Sequence, residues 1–203
     1  MSQTIGDFHA RKTVLREQAH VCRNAQPNKE ELSATICEQF MALPEYAAAA
    51  ETVLFYIDVR SEVRTRQALP AALASGKKIV VPWCNEKGEL ELFHLTNMDE
   101  LAVGMYKILE PKPELRKIPE KMVGPKELDL VMVPGVAFDR QGGRMGHGKG
   151  YYDKLLQHAR PETPLIALAF ECQLFPEIPA ASHDIFMDKV ITERAIYEGR
   201  GRQ

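Results

Sequence analysis

The chain has 203 residues, 45% of them hydrophobic and 27% charged, with a formal net charge of −2. That suits a single domain over residues 1–203 with a sizeable core and is too apolar for a disordered chain, and it lacks the basic excess that binders of nucleic acid or anionic membranes carry. The cysteines Cys22, Cys37, Cys84 and Cys172 form no CxxC pair or zinc-like spacing, the first residues lack a signal core, and no stretch approaches the ~18 apolar residues of a membrane span, so a soluble cytoplasmic protein is expected.

Residues 7–24 read as a helix whose apolar stripe holds Phe8, Leu15 and Ala19 or Cys22. Lys12 and Arg16 are four apart, so they share one face of it without a carboxylate between them. Asn28, with Glu31 three residues on, predicts the capped start of a second helix that ends at Leu43-Pro44. The β-branched and aromatic run 52–57 (TVLFYI) predicts a buried strand, with a helix from Glu62 to about residue 75 and Gly76 as its C-cap. Strands are expected at 77–82 (KKIVVP) and 89–95 (ELELFHL), and a short helix at 98–103.

Residues 106–125, beginning at Tyr106, hold prolines at 111, 113 and 119 and end on Pro125, and predict a long connection of the kind that is often functional. Further apolar runs predict strands at 129–134 (DLVMVP), 164–170 (PLIALAF) and 185–192 (IFMDKVIT). Strands alternating with helices imply an α/β fold with a mainly parallel sheet covered on both faces.

The densest signal lies between two of those strands. Residues 142–150 hold five glycines, and at about 1 kcal/mol each they exclude a helix by roughly 5 kcal/mol. Such a loop brings backbone N–H groups close to a ligand, with Arg144 and Lys149 adding charge, which reads as a phosphate cradle. Residues 143–149 satisfy GxxxxGK, but Gly150 replaces the Ser/Thr that would hold Mg²⁺ in a Walker A loop. Asp153 is the nearest substitute ligand. A glycine-rich hairpin with Asp153 merely complementing a helix dipole remains the alternative.

The stretch PGVAFDRQGGRMGHGKGYYDKLL closely resembles the signature of the 5-formyltetrahydrofolate cyclo-ligases, also called methenyltetrahydrofolate synthetases. Other segments are similar to the same family: Lys12-Thr-Val-Leu15-Arg16, Glu62-Val63-Arg64-Thr65 and His183-Asp184 through Asp188. Arg64 departs from the Asp or Asn that many members carry. The resemblance implies a Rossmann-like three-layer fold related to sugar-phosphate isomerases and CoA transferases.

For this chain the resemblance implies ATP-dependent cyclisation of 5-formyltetrahydrofolate to the 5,10-methenyl form, with Mg²⁺ held by Asp153 and Asp188. ATP is expected at Lys12, Arg16, Gly142, Gly143, Arg144, Met145, Gly146, His147, Gly148, Lys149, Gly150, Tyr151 and Tyr152. Folate is expected at Ile57, Glu62 and residues 147–151, with Lys149, Arg144 and Tyr151 nearest the chemistry. No nucleic-acid or membrane partner is expected, and the chain is expected to be a monomer or weak homodimer. A non-catalytic nucleotide-binding module, or an ATP-independent isomerase or transferase relative, would share the scaffold, since fold does not fix function.

Overall fold

A computed structural model describes residues 2–104, 108–181 and 184–202. Tyr106 and His183 lie outside these described residues. The strands are β1 (Thr52–Leu54), β2 (Lys78–Cys84), β3 (Leu90–Leu95), β4 (Leu101–Val103), β5 (Leu109–Pro111), β6 (Met122–Val123), β7 (Leu130–Val133), β8 (Ala137–Phe138), β9 (Arg144–Met145), β10 (Leu165–Leu168), β11 (Lys189–Ile191) and β12 (Ile196–Glu198). The helices are α1 (Ser2–Ala25), α2 (Lys29–Ala42), α3 (Leu69–Ala74) and α4 (Tyr151–His158).

Among the described residues the main sheet runs β12-β11-β10-β7-β1-β2-β3-β6. Its centre, β11-β10-β7-β1-β2, is parallel, and β12, β3 and β6 are antiparallel edges. Because parallel strands bury both faces, β7 (LVMV) and β10 (LIAL) are apolar throughout, while Thr52, Lys78 and Lys189 stand only at the first positions of β1, β2 and β11. Val53, Ile79, Met132 and Ile166 join Ile36 and Phe40 of α2 and Leu69 of α3 in one core. Leu54, Val80, Val131 and Leu165 join Leu155 and Leu156 of α4 in the other. The result is a three-layer, Rossmann-like arrangement of a mostly parallel sheet between helices.

The chain runs outward from β1 to β2, then returns to place β7 on the other side of β1. Strand order therefore reverses between β1 and β7, and in open α/β sheets ligands bind beyond the carboxyl ends of the strands at such a point. Helix α1 does not cover the sheet. Its Ala19 packs with Val136, Ala137, Met145 and Ile178, on the small ribbon β8-β9 that overhangs those carboxyl ends.

Several local expectations are corrected. Asn28 adopts left-handed φ 52° and makes no side-chain cap, because capping needs an extended backbone that aims the oxygen at the first turn. No helix starts at Glu62; a 3₁₀ turn at Thr65–Gln67 precedes the short α3. The Thr65 hydroxyl donates to the Tyr56 carbonyl and accepts from Asp58 N–H, while Asp58 accepts from Arg66 N–H. These side-chain bonds compete with helical ones. The helix expected at 98–103 is a 3₁₀ turn followed by β4, whose partner β5 supplies cross-strand bonds. Gly76 does close α3, at φ 80°.

Candidate functional site

Beyond the carboxyl ends of β1, β2 and β7 lies a cavity of about 480 Å³. Tyr56 and Ile57 enter it from β1, Trp83 and Cys84 from β2, and Pro134 and Gly135 from β7. Residues 144–153 form one wall, and Lys12 and Arg16 reach in from α1. Arg16 Nε donates to the Gly146 carbonyl at 3.0 Å, so α1 grips the glycine loop directly.

Most of the expected loop lines the cavity: Arg144, Met145, Gly146, His147, Gly148, Lys149, Gly150, Tyr151 and Tyr152 all do. Gly142 and Gly143 do not. They form the turn between β8 and β9, where Asp139 accepts from Gly143 N–H at 2.8 Å. Gly142 has φ 89°, and a Cβ there would lie 2.2 Å from the Met187 carbonyl oxygen. Those two glycines serve the turn, and the glycines of the loop that line the cavity are Gly146, Gly148 and Gly150. Gly148 and Gly150, at φ 91° and 70°, give that segment its left-handed bends. Lys149 projects from it, exposed. The Arg144 side chain is instead tucked in, 4% exposed, donating to the Pro134 carbonyl at 3.1 Å and to Asp153. Its charge holds Asp153 in place.

At the other end of the cavity Glu62 is buried, with 6% of its surface exposed. One oxygen accepts from Val59 N–H at 3.0 Å; the other lies 3.4 Å from His147 Nε2 and 4.0 Å from Arg23 Nη1. Glu62 thus folds back over its own turn, 59–62, instead of capping a helix. The Tyr152 hydroxyl is buried and has no hydrogen-bond partner among the described residues. Burial, followed by the Glu62 charge, pushes its pKa up, so it is available as a donor to a bound molecule.

The carboxylates are sorted differently from expectation. Asp153 lines the cavity, but Asp188 does not. Asp188 precedes β11, at the amino end of the sheet, and its Oδ2 accepts from Leu165 N–H at 2.7 Å. The acid from this segment that lines the cavity is Asp184, which meets Lys12 Nζ at 3.0 Å and accepts from Ala181 N–H at 2.7 Å. The pattern HDIFMD offers two aspartates. Only the path of the chain into β11 separates them. Among the described residues no group of three or more His, Cys, Asp or Glu side chains could cage a metal.

Two further residues belong to the site, and sequence periodicity could have raised only the first. Arg23 falls on the apolar stripe of α1, four residues after Ala19, and is buried. Trp83, at the end of β2, lines the cavity with the Arg116 guanidinium 4.4 Å above its ring. No local pattern pairs Trp83 with Arg116, which follows 33 positions later.

Fold and cleft define an α/β protein with a glycine-rich loop lining a cavity at a topological switch point. The model of the 5-formyltetrahydrofolate cyclo-ligase family matches residues 8–193. A probable 5-formyltetrahydrofolate cyclo-ligase of Schizosaccharomyces pombe is 32% identical over 176 residues, covering 81% of this chain and 85% of its own. The Mus musculus 5-formyltetrahydrofolate cyclo-ligase is 30% identical, covering 71% and 74%. Among solved structures, Aquifex aeolicus 5,10-methenyltetrahydrofolate synthetase superimposes with a TM-score of 0.79 at 29% identity, over 95% of this chain and 94% of that one. The chain belongs to the 5-formyltetrahydrofolate cyclo-ligase family.

Proposed function

We propose that the protein joins N10 to the formyl carbon of 5-formyltetrahydrofolate at the expense of ATP, giving 5,10-methenyltetrahydrofolate, ADP and phosphate. One observation carries this reading: a single cavity is lined both by the cationic glycine loop and by the buried Glu62 and Ile57. A nucleotide and a second, donor-bearing substrate can meet there.

The chemistry accounts for that pairing. An N5-formyl group is an amide, so its carbon is a poor electrophile and its oxygen a poor leaving group. Transfer of the γ-phosphoryl group to the formyl oxygen forms the O–P bond as the bond to ADP breaks. N10 then adds to the activated carbon and loses its proton, and the C–O bond breaks with release of phosphate. Phosphoryl transfer demands mainly positioning and charge stabilisation. Lys149 and the N–H groups of residues 146–150 supply these at the transferred group, while Lys12 and Arg16 hold the nucleotide from α1. Glu62 accepts from the N–H donors of the pterin, Ile57 packs beside it, and Tyr151 and Tyr152 border both substrates.

Two cavity-lining carboxylates are enough for Mg²⁺, which usually binds through one or two carboxylates, waters and phosphate oxygens, and their present partners Arg144 and Lys12 would have to give way to it. Asp153 and Asp184 would hold it. When bound with the nucleotide it would offset negative charge on the phosphates. Near-ultraviolet absorbance of the methenyl product tests the reaction: growth of the band with 5-formyltetrahydrofolate only when Mg-ATP is present is expected. Nucleotide binding without that band would leave a binding module.

A further inference from the structure

Lys12, Arg16, Ala19 and Arg23 recur at spacings of four, three and four, so they share one face of α1. Lys12 and Arg16 occupy the nucleotide end of the cavity. Arg23, 1% exposed, reaches the opposite end. A buried guanidinium costs several kcal/mol unless its donors are met. Here Nε donates to Ser61 Oγ at 3.1 Å and Nη1 to the Gly135 carbonyl at 3.1 Å, while Glu62 Oε1 lies 4.0 Å from Nη1. These partners come from the loops leaving β1 and β7, the two sides of the switch point.

The 4.0 Å separation is too long for a hydrogen bond, so Arg23 acts on Glu62 by charge and by fixing the adjacent Ser61. We propose that Arg23 is a positioning residue, holding the Glu62 carboxylate where the N–H donors of the folate ring meet it. The proposal deepens the folate reading of the cavity and rests on it. Burial lowers the pKa of the guanidinium, with Glu62 opposing, yet an arginine stays charged at any working pH.

Steady-state turnover of the full chain, titrating 5-formyltetrahydrofolate and ATP separately, tests this. Arg23→Met should raise KM for the folate about tenfold, equivalent to about 1.4 kcal/mol, with KM for ATP within about twofold of wild type. In a Glu62→Gln background the same change should add less than about twofold, because the two side chains act as one unit. Arg23→Lys, which keeps the charge and loses the fork, should recover part of the loss. Should Arg23→Met fail to fold, Ser61→Ala removes the loop anchor alone and should shift the folate KM in the same direction. Equal shifts in both KM values, or additivity with Glu62→Gln, would overturn the proposal and leave Arg23 a structural tie. A wild-type protein making no methenyl product would overturn the folate reading, and this proposal with it.

Discussion

The two ends of the sheet use the same acidic side chain for opposite purposes. At the amino ends, Asp129 accepts from Glu51 and Thr52 N–H groups and from Arg160, and Asp188 accepts from Leu165 N–H. These carboxylates close strand beginnings. For Asp129 the bonds to Thr52, Arg160 and Glu51 outweigh desolvation and hold its pKa below the ordinary carboxylate value. At the carboxyl ends, Glu62, Asp153 and Asp184 line a cavity beside Arg23, Arg144 and Lys12. The N–H groups of Glu51, Thr52 and Leu165, at the starts of β1 and β10, find these aspartates as their acceptors. Past the strand ends Glu62 and Asp184 also accept a backbone N–H each, but all three acids meet side-chain cations at the cavity, which a substrate can engage.

The largest expected effect belongs to the cavity end. Lys149→Ala should lower turnover about 10²–10³-fold, the usual cost of one transition-state charge partner, while circular dichroism and melting stay unchanged because the side chain is exposed. Near-normal turnover would remove Lys149 from the mechanism. Glu62→Gln should come next, weakening the folate by about ten- to hundredfold, the range of a hydrogen bond to a charged group, and sparing ATP. A change confined to ATP affinity would contradict the assignment.

The sharpest comparison pairs the two aspartates of one segment. Asp184→Asn should raise the Mg²⁺ concentration needed for half-maximal activity, with little change in melting. Asp188→Ala should lower stability by about 1–3 kcal/mol, the cost of leaving Leu165 N–H unpaired, with both KM values unchanged. The reverse pattern would restore Asp188 to the metal site.

The smallest effect concerns His20, whose ring lies 5.4 Å from that of His147. Burial, then the charges of Arg23, His147 and Arg60, lower its pKa from 6.5, with Glu62 opposing. The unfolded chain therefore takes up a proton first on acidification. The contribution of His20 is fully present above 6.5 and is lost as pH falls below that value. His20→Gln should flatten the fall in melting temperature between about pH 7 and pH 5. Unchanged slopes in the two proteins would show that His20 does not titrate in this way.

The central strands were legible because a parallel strand is apolar on both faces, as at 130–133 and 165–168. The glycine loop was legible because its glycines exclude a helix. Elements whose form depends on distant partners were not: β4 exists through β5, and α3 starts late because Thr65 and Asp58 bond elsewhere.

By itself, the sequence determined the α/β class, the glycine loop, the shared face of Lys12 and Arg16, and the family, since each rests on neighbours along the chain. Tertiary structure alone decided that Gly142 and Gly143 belong to a turn, that Asp184 and not Asp188 reaches the cavity, and that Arg23 stands behind Glu62. Those assignments depend on which end of a strand a residue occupies and on what lies across from it. Both are set when β7 returns beside β1, bringing together residues far apart in the chain.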